Sequence, residues 1–293
     1  MNNYRIHKNY RDDDILRNAF FDFIETVYPG LNFKIWFEKG FWRDEYDPHS
    51  IMIDGRIVSN ISTTRMNLFV DGKQVDGIQI GTVGTIPEYQ RQGLSRTLME
   101  HVLDKYKGKT EIIFLYSSEE AFKFYPKFGF DRYNEVIFIQ SKDIPKGRFS
   151  ARKLDINSVA DFELIKKWLS RRSIISKLFG ASDYDFITMW HILNRYPANL
   201  FYLEEDEIIF IASEKNSQLH ILDIIYHRQF DLTGALSRII ESNNLKSVHY
   251  YFSPDQLDFK YDEVVIDTDS PLFVRGKFPI GGRHFKFPAT AQT

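Results

Sequence analysis

At 293 residues the chain is long for one compact domain and suits two. Its 38 basic and 40 acidic side chains nearly cancel, so no broad field recruits nucleic acid, and the lack of cysteine excludes disulfides and thiolate metal sites. No apolar run approaches the roughly 18 residues of a membrane span, and the opening MNNYRIHKNYRDDD has no apolar signal segment, so the expectation is a cytoplasmic protein with neither membrane nor nucleic-acid partner.

YRIHKN, from Tyr4, reads as a short first strand. In DDDILRNAFFDFIETVYPG the apolar residues Ile15, Ala19, Phe23 and Val27 carry helical spacing. Aspartates ahead of them suit a helix N-terminus, and Pro29-Gly30 stops the helix. NFKIWFEKGFW predicts a second short helix ending near Gly40. Residues 49–86 are strand-like throughout, and Asp54-Gly55 and Asp71-Gly72 punctuate them as tight hairpin turns.

IPEYQRQGLSRTLMEHVLDKY follows. Leu94, Leu98, Val102 and Tyr106 fall on one helical stripe, and Gly108 ends the helix. TEIIFLYS is an apolar run without alternation, as in a strand buried on both faces. In SSEEAFKFYPKFGF, Ser117 and Glu120 have capping-box spacing and predict a helix start. NEVIFIQ is another strand, and SKDIPKGRFS, broken by Pro145 and Gly147, reads as a linker.

The second half runs through a similar programme. FSARKLD is a strand, SVADFELIKKWLSRRS and DYDFITMWHILNRYP are amphipathic helices, residues 198–226 form a meander, residues 231–243 a helix, and LKSVHYYF a strand. YQRQGLS from Tyr89 even has an echo in YHRQFDL from Tyr226. The expected fold is therefore α/β (α+β): a mixed, mostly antiparallel central sheet flanked by helices, in two similar tandem domains, 1–144 and 145–293.

A strand that ends in a glycine-containing loop and opens a helix makes an anion site, because the first helical N–H groups lack intrahelical partners and the dipole favours negative charge. Gly93 permits close approach or positive φ, Ser95 is small, and Arg91 adds a charge. The loop lacks both the Gly-Lys-Ser/Thr of a nucleotide-hydrolysing P-loop and the three-glycine dinucleotide fingerprint. A pyrophosphate held by backbone amides fits it better.

VGTIPEYQRQGLSRTLM resembles motif A of the GNAT N-acetyltransferases, with Gln90, Gly93 and Ser95 at its fixed positions, and AFKFYPKFGF resembles their motif B. The resemblance covers about residues 4 to 140, and the two-copy layout resembles the Eis-like branch, which carries a second, degenerate GNAT-type domain. It implies transfer of acetyl from acetyl-CoA, as co-substrate, to a small-molecule or peptide amine. It also implies that Arg91, Gln92, Gly93, Leu94, Ser95 and Arg96 cradle the pyrophosphate, that Val83 and Thr85 pair with the pantetheine arm, and that Ser118 contacts CoA. Tyr125 lies where the family often has a tyrosine that protonates the leaving thiolate. From the residues alone Tyr125 is equally a core aromatic among Phe122, Phe124, Phe128 and Phe130, and Pro126 disfavours helical backbone there. The aromatic stretch Phe33 to Trp42 either packs or lines the acceptor side.

The general base is open. Gln79 stands roughly where many relatives have a glutamate, and a glutamine could only position a water. Glu25, Glu38 and Asp76 read as solvated, and the tail FKFPATAQT could bring a terminal carboxylate, as in Eis-like relatives. In the second copy Phe230 aligns with Gly93 and Asp231 follows, which disfavours a phosphate, so residues 145–293 are expected not to bind CoA. The histidines are scattered without metal-ligand spacing, and KKWLSRR reads as a solvated basic face. Two other readings stand beside the enzyme: a non-catalytic acyl-CoA sensor or scaffold, and a nucleotide-binding α/β protein. Acceptor identity and oligomeric state are not legible.

Overall fold

The computed structural model describes residues 4–242 and 244–293. The first three residues of the MNNYRIHKNYRDDD stretch and of the expected 1–144 domain, and Asn243 at the end of the helix expected over 231–243, lie outside the described residues.

The first part contains β1 (Ile6–His7), helices α1 (Asp14–Val27) and α2 (Phe33–Glu38), then β2 (Tyr46–Ile53), β3 (Arg56–Val70) and β4 (Lys73–Thr85). Asp13 caps α1, accepting from the N–H groups of Ile15 and Leu16. The buried face of α1 is Phe20, Phe23 and Ile24, whereas Ile15 is 78% exposed, so the stripe expected through Ile15 is displaced. The Asp-Gly turns close both hairpins, with φ of +48° at Asp54 and +51° at Asp71, each followed by a positive-φ glycine, as type I′ turns require.

Helix α3 (Leu94–Tyr106) buries Leu94, Leu98, Val102 and Tyr106 and leads into β5 (Ile112–Tyr116). The helix expected from Ser117 does not form. Two 3₁₀ turns, Glu119–Ala121 and Tyr125–Phe128, take its place, and Ser117 Oγ donates to the Ser118 carbonyl instead of capping. Pro126 cannot donate to a continuing helix, and it restricts Tyr125. β6 (Asp131–Tyr133) and β7 (Val136–Gln140) follow.

The remainder gives β8 (Arg152–Lys153), α4 (Val159–Leu169), β9 (Phe179–Ser182), α5 (Asp185–Asn194), β10 (Leu200–Leu203), β11 (Ile208–Lys215), β12 (Gln218–Ile225), α6 (Leu232–Ile239), β13 (Ser247–Tyr250), β14 (Glu263–Ile266) and β15 (Leu272–Gly276). The first sheet has the order β1-β2-β3-β4-β5-β15-β6, with β9 beside β3, and the second has β14-β7-β13-β12-β11-β10-β8. Each is antiparallel except at one step, β4–β5 in the first and β12–β13 in the second.

These orders are the same pattern twice, with one exchange. β7 lies between β13 and β14 of the second sheet, and β15 lies between β5 and β6 of the first. The sheets therefore do not divide the chain at the 144/145 linker: each half lends the other an interior strand. Two apolar cores result, the larger extending from the first sheet into α4 and α5. No helix among the described residues is long and apolar enough to cross a membrane.

Candidate active site

The site begins where β4 leaves its neighbours. Pairing with β5 stops at Ile80–Leu115, yet β4 continues to Thr85. On the other side the register with β3 jumps from Ser62–Gly81 to Asn60–Gly84, so Thr82 and Val83 oppose Ile61 alone. This β-bulge, with φ of +51° at Thr82, turns backbone groups out of the ladder. Asn60 Nδ2 holds the bulge by donating to the Thr82 carbonyl at 2.9 Å, and Tyr28 Oη donates to the Val83 carbonyl at 2.6 Å.

After β4 comes a 3₁₀ turn, Pro87–Tyr89, and then a loop in which Arg91 (φ +62°) and Gly93 (φ +83°) are both left-handed. Gly93 caps α3 and supplies no side-chain acceptor, so the first N–H groups of the helix, those of Leu94, Ser95 and Arg96, have no side-chain capping bond. A β-carbon at Gly93 would meet nothing within 4 Å; the need for glycine is its φ. Ser95 Oγ lies 2.9 Å from Thr85 Oγ1, which lies 2.8 Å from Ser59 Oγ, a hydroxyl chain tying the helix start to the end of β4.

The expected residues distribute as follows. Val83 sits in the bulge, Thr85 at the end of β4, and Arg91, Gln92, Gly93, Ser95 and Arg96 on the exposed or half-buried rim, while the side chain of Leu94 is in the core. Ser118 is exposed just beyond β5, at the same end of the parallel pair. Tyr125 is buried against Phe124, Phe130 and Phe273, and among the described residues none hydrogen-bonds its hydroxyl. Burial pushes its phenol up to about 12. Burial, and then the Tyr125 phenol, raise the Tyr28 phenol as well.

The tail occupies the place left for the base. With its amide oriented to satisfy both ends, Gln79 donates to the Ala291 carbonyl at 3.0 Å and accepts from the Thr293 N–H at 3.0 Å. Gln79 thus docks the tail and is not free to position a water. A β-carbon on Gly81 would fall 2.7 Å from the Thr293 carbonyl oxygen, so glycine there is what lets the tail reach β4. Glu25, Glu38 and Asp76 are exposed, as expected.

Beside the bulge lies a cavity of about 180 Å³. Tyr28, Phe33, Trp36 and Tyr46 line it from the first half, Phe186 and Trp190 from α5, and Thr82, Arg195, Gln292 and Thr293 complete the wall together with Leu31 and Ile187. The aromatic stretch after Asn32 divides: Phe33 and Trp36 line the cavity, Phe41 and Trp42 pack in the core. Sequence reasoning did not single out Tyr28, Tyr46, Thr82 or the α5 residues, because a bulge and a cross-domain wall leave no periodic signal.

The equivalent cleft of the second half is filled. β12 and β13 stop pairing at Ile221–Tyr250, and the tail runs alongside: the Tyr251 N–H donates to the Ile221 carbonyl, the Ala289 N–H to the Tyr251 carbonyl, and Thr290 Oγ1 to Asp223. Asp223 is fully buried and paired with Arg172 at 2.6 and 2.9 Å. The KKWLSRR segment is therefore not wholly solvated: its last arginine is an interior ion partner. Among the described residues no cluster of metal-ligating side chains occurs.

Residues 10–133 match the family model of the acetyltransferase (GNAT) domain. Among solved structures, a conserved protein of Enterococcus faecalis described as a probable N-acyltransferase is 16% identical with a TM-score of 0.63, the match covering 92% of this chain and 72% of that one. Eis1 from Mycobacterium abscessus is 13% identical with a TM-score of 0.58, over 92% and 73% of the two chains. A GCN5-related N-acetyltransferase from Anabaena variabilis is 16% identical with a TM-score of 0.58, over 92% and 72%. At these identities the likeness is one of fold. No curated protein matches the sequence.

Proposed function

Residues 10–133 belong to the GNAT acetyltransferases, and from that premise we propose that the chain moves an acetyl group from acetyl-CoA to a primary amine by direct attack on the thioester. The observation that carries this reading is the uncapped N–H array of Leu94 to Arg96 behind left-handed Gly93, beside a strand whose bulge takes Thr82 and Val83 out of the ladder. Such an array binds a diphosphate, and Arg91, Gln92 and Arg96 on the rim add donors. Val83 and Thr85 would pair with the pantetheine arm where β4 has parted from β5, with Ser118 on the opposite lip. Residues 145–293 are read as a unit that does not bind CoA, since Phe230 and Asp231 stand at its loop and the tail fills its cleft.

In the reaction the amine nitrogen bonds to the thioester carbon, the C–S bond breaks, and the sulfur departs with the electron pair. The Tyr125 phenol, kept protonated by burial, gives its proton to that sulfur. The amine's own proton is released to water at the cavity, whose wall Gln292 and Thr293 complete.

The test follows free thiol when acetyl-CoA meets a panel of amines, with CoA uptake measured separately by calorimetry. Tyr125→Phe is expected to lower turnover roughly 10²-fold or more with uptake unchanged. Tight uptake with no thiol release from any amine would favour the sensor, and stronger protection by ATP than by CoA would favour a nucleotide-binding protein.

A further inference from the structure

Resting on that reading of the site, we propose that the acceptor is a small monoamine whose body is apolar and about the size of one ring, and that polyamines and aminoglycosides are poor acceptors. Three observations converge on the cavity beside Thr82. The first is size. Its volume of about 180 Å³ lies just above the roughly 150 Å³ of a dry protein cavity that holds benzene. A six-membered ring with a short stem fills it, and a multi-ring sugar does not enter.

The second is surface. Tyr28, Phe33, Trp36, Tyr46, Phe186 and Trp190 present aromatic walls, and the polar tips of the two tyrosines are already engaged. Tyr28 Oη donates to Val83, and Tyr46 Oη donates to Ser62 Oγ at 2.8 Å and lies 3.0 Å from Thr82 Oγ1. Hydroxyls of a polyhydroxylated acceptor would lose water there and find few partners beyond Trp190 Nε1 and Gln292 Nε2, which no described group satisfies, at a cost of about 1–3 kcal/mol for each group left unpaired. Ring-on-ring contact at the same walls favours an apolar body.

The third is charge. Arg195, an exposed residue, is the one charged side chain lining the cavity, and no carboxylate pairs with it among the described residues. One ammonium can shed its proton and react, but the further cations of a polyamine or aminoglycoside meet a guanidinium of like sign. The position is right for acceptance: Thr82 of the bulge is part of the wall, and Tyr28 reaches from the cavity to Val83.

The experiment compares kcat/KM, by thiol release at saturating acetyl-CoA, for 2-phenylethylamine, hexylamine, spermidine and kanamycin. 2-Phenylethylamine is expected to exceed spermidine and kanamycin at least tenfold. Leu31→Trp, which fills the cavity, should lower its kcat/KM at least tenfold with CoA uptake unchanged by calorimetry. Ile187→Ala, which enlarges the cavity, should shift preference toward 2-naphthylethylamine, a gain that misfolding cannot produce. Faster reaction with spermidine or kanamycin overturns the inference and leaves acetyl transfer intact. CoA uptake without thiol release from any amine overturns both.

Discussion

At the scale of single residues, Gly93 is the position on which the cofactor reading turns. Its φ of +83° sits in open space, so a side chain there is resisted by its own backbone and not by neighbours. Gly93→Val should cost about 1–2 kcal/mol of stability, visible as a lowered unfolding midpoint. It should also weaken CoA uptake at least tenfold, because relaxing φ turns the Leu94 to Arg96 amides away. Uptake unchanged in that variant would remove the anion site from the argument. This glycine was legible in the sequence because a strand, a polar loop and a helical stripe bracket it. The bulge at Thr82 was not: its cause is a register jump against β3, and nothing in GIQIGTVGT distinguishes it from regular strand. Gln79 was legible as an odd residue at a central position, yet its role as the dock for the tail depends on contacts more than two hundred residues away in sequence.

Among the elements, the tail after β15 does the most with the least regular structure. Lys286 is 4% exposed, and its ammonium lies 2.7 Å from both Glu135 and Asp267. Burial pulls that ammonium down, and the two carboxylates more than reverse the effect. Glu135 also accepts from the Phe287 N–H at 2.7 Å, so one buried cluster pins the tail beside β7. Lys286→Met would leave two carboxylates unpaired and should destabilise the fold by about 3–5 kcal/mol. Lys286→Met combined with Glu135→Gln should recover part of that in a urea titration, and no recovery would argue that packing alone is at stake. Regular elements with strong periodicity, such as α3 and the β10–β12 meander, were readable from sequence. The capping box at Ser117 was a false signal, since spacing alone does not show that Pro126 and the turn of the chain win over helix propagation.

For the whole molecule, buried ionisable groups set the pH range of stability. Burial lowers His49 to about 3 and His191 to about 4, against an ordinary 6.5. Carbonyl contact with Gln292 and the neighbouring Asp223 oppose the shift in His191, and Arg195 adds to it. Both histidines fold neutral, so their contribution is present above pH 6.5 and is lost as pH falls toward 4. The buried phenols of Tyr10, Tyr46, Tyr184 and Tyr250 are raised by burial, so their contribution is full below pH 10 and declines above it. The urea midpoint should therefore form a plateau between about pH 7 and pH 10 and fall on both sides. A midpoint that holds steady from pH 7 down to pH 4 would contradict the burial of these imidazoles.

The exchange of β7 for β15 has a bearing on synthesis. When the ribosome has released β5 and β6, the strand that belongs between them is still on the order of ten seconds from being translated. In that interval the nascent sheet presents two raw margins, the kind of template on which chains stick to one another. β7, emerging directly after β6, is the nearest available filler, and a provisional hairpin of this sort would have to be surrendered once β13 and β14 arrive. Completion of the first sheet thus waits on Leu272–Gly276, and a stop ahead of them would leave the place between β5 and β6 unfilled.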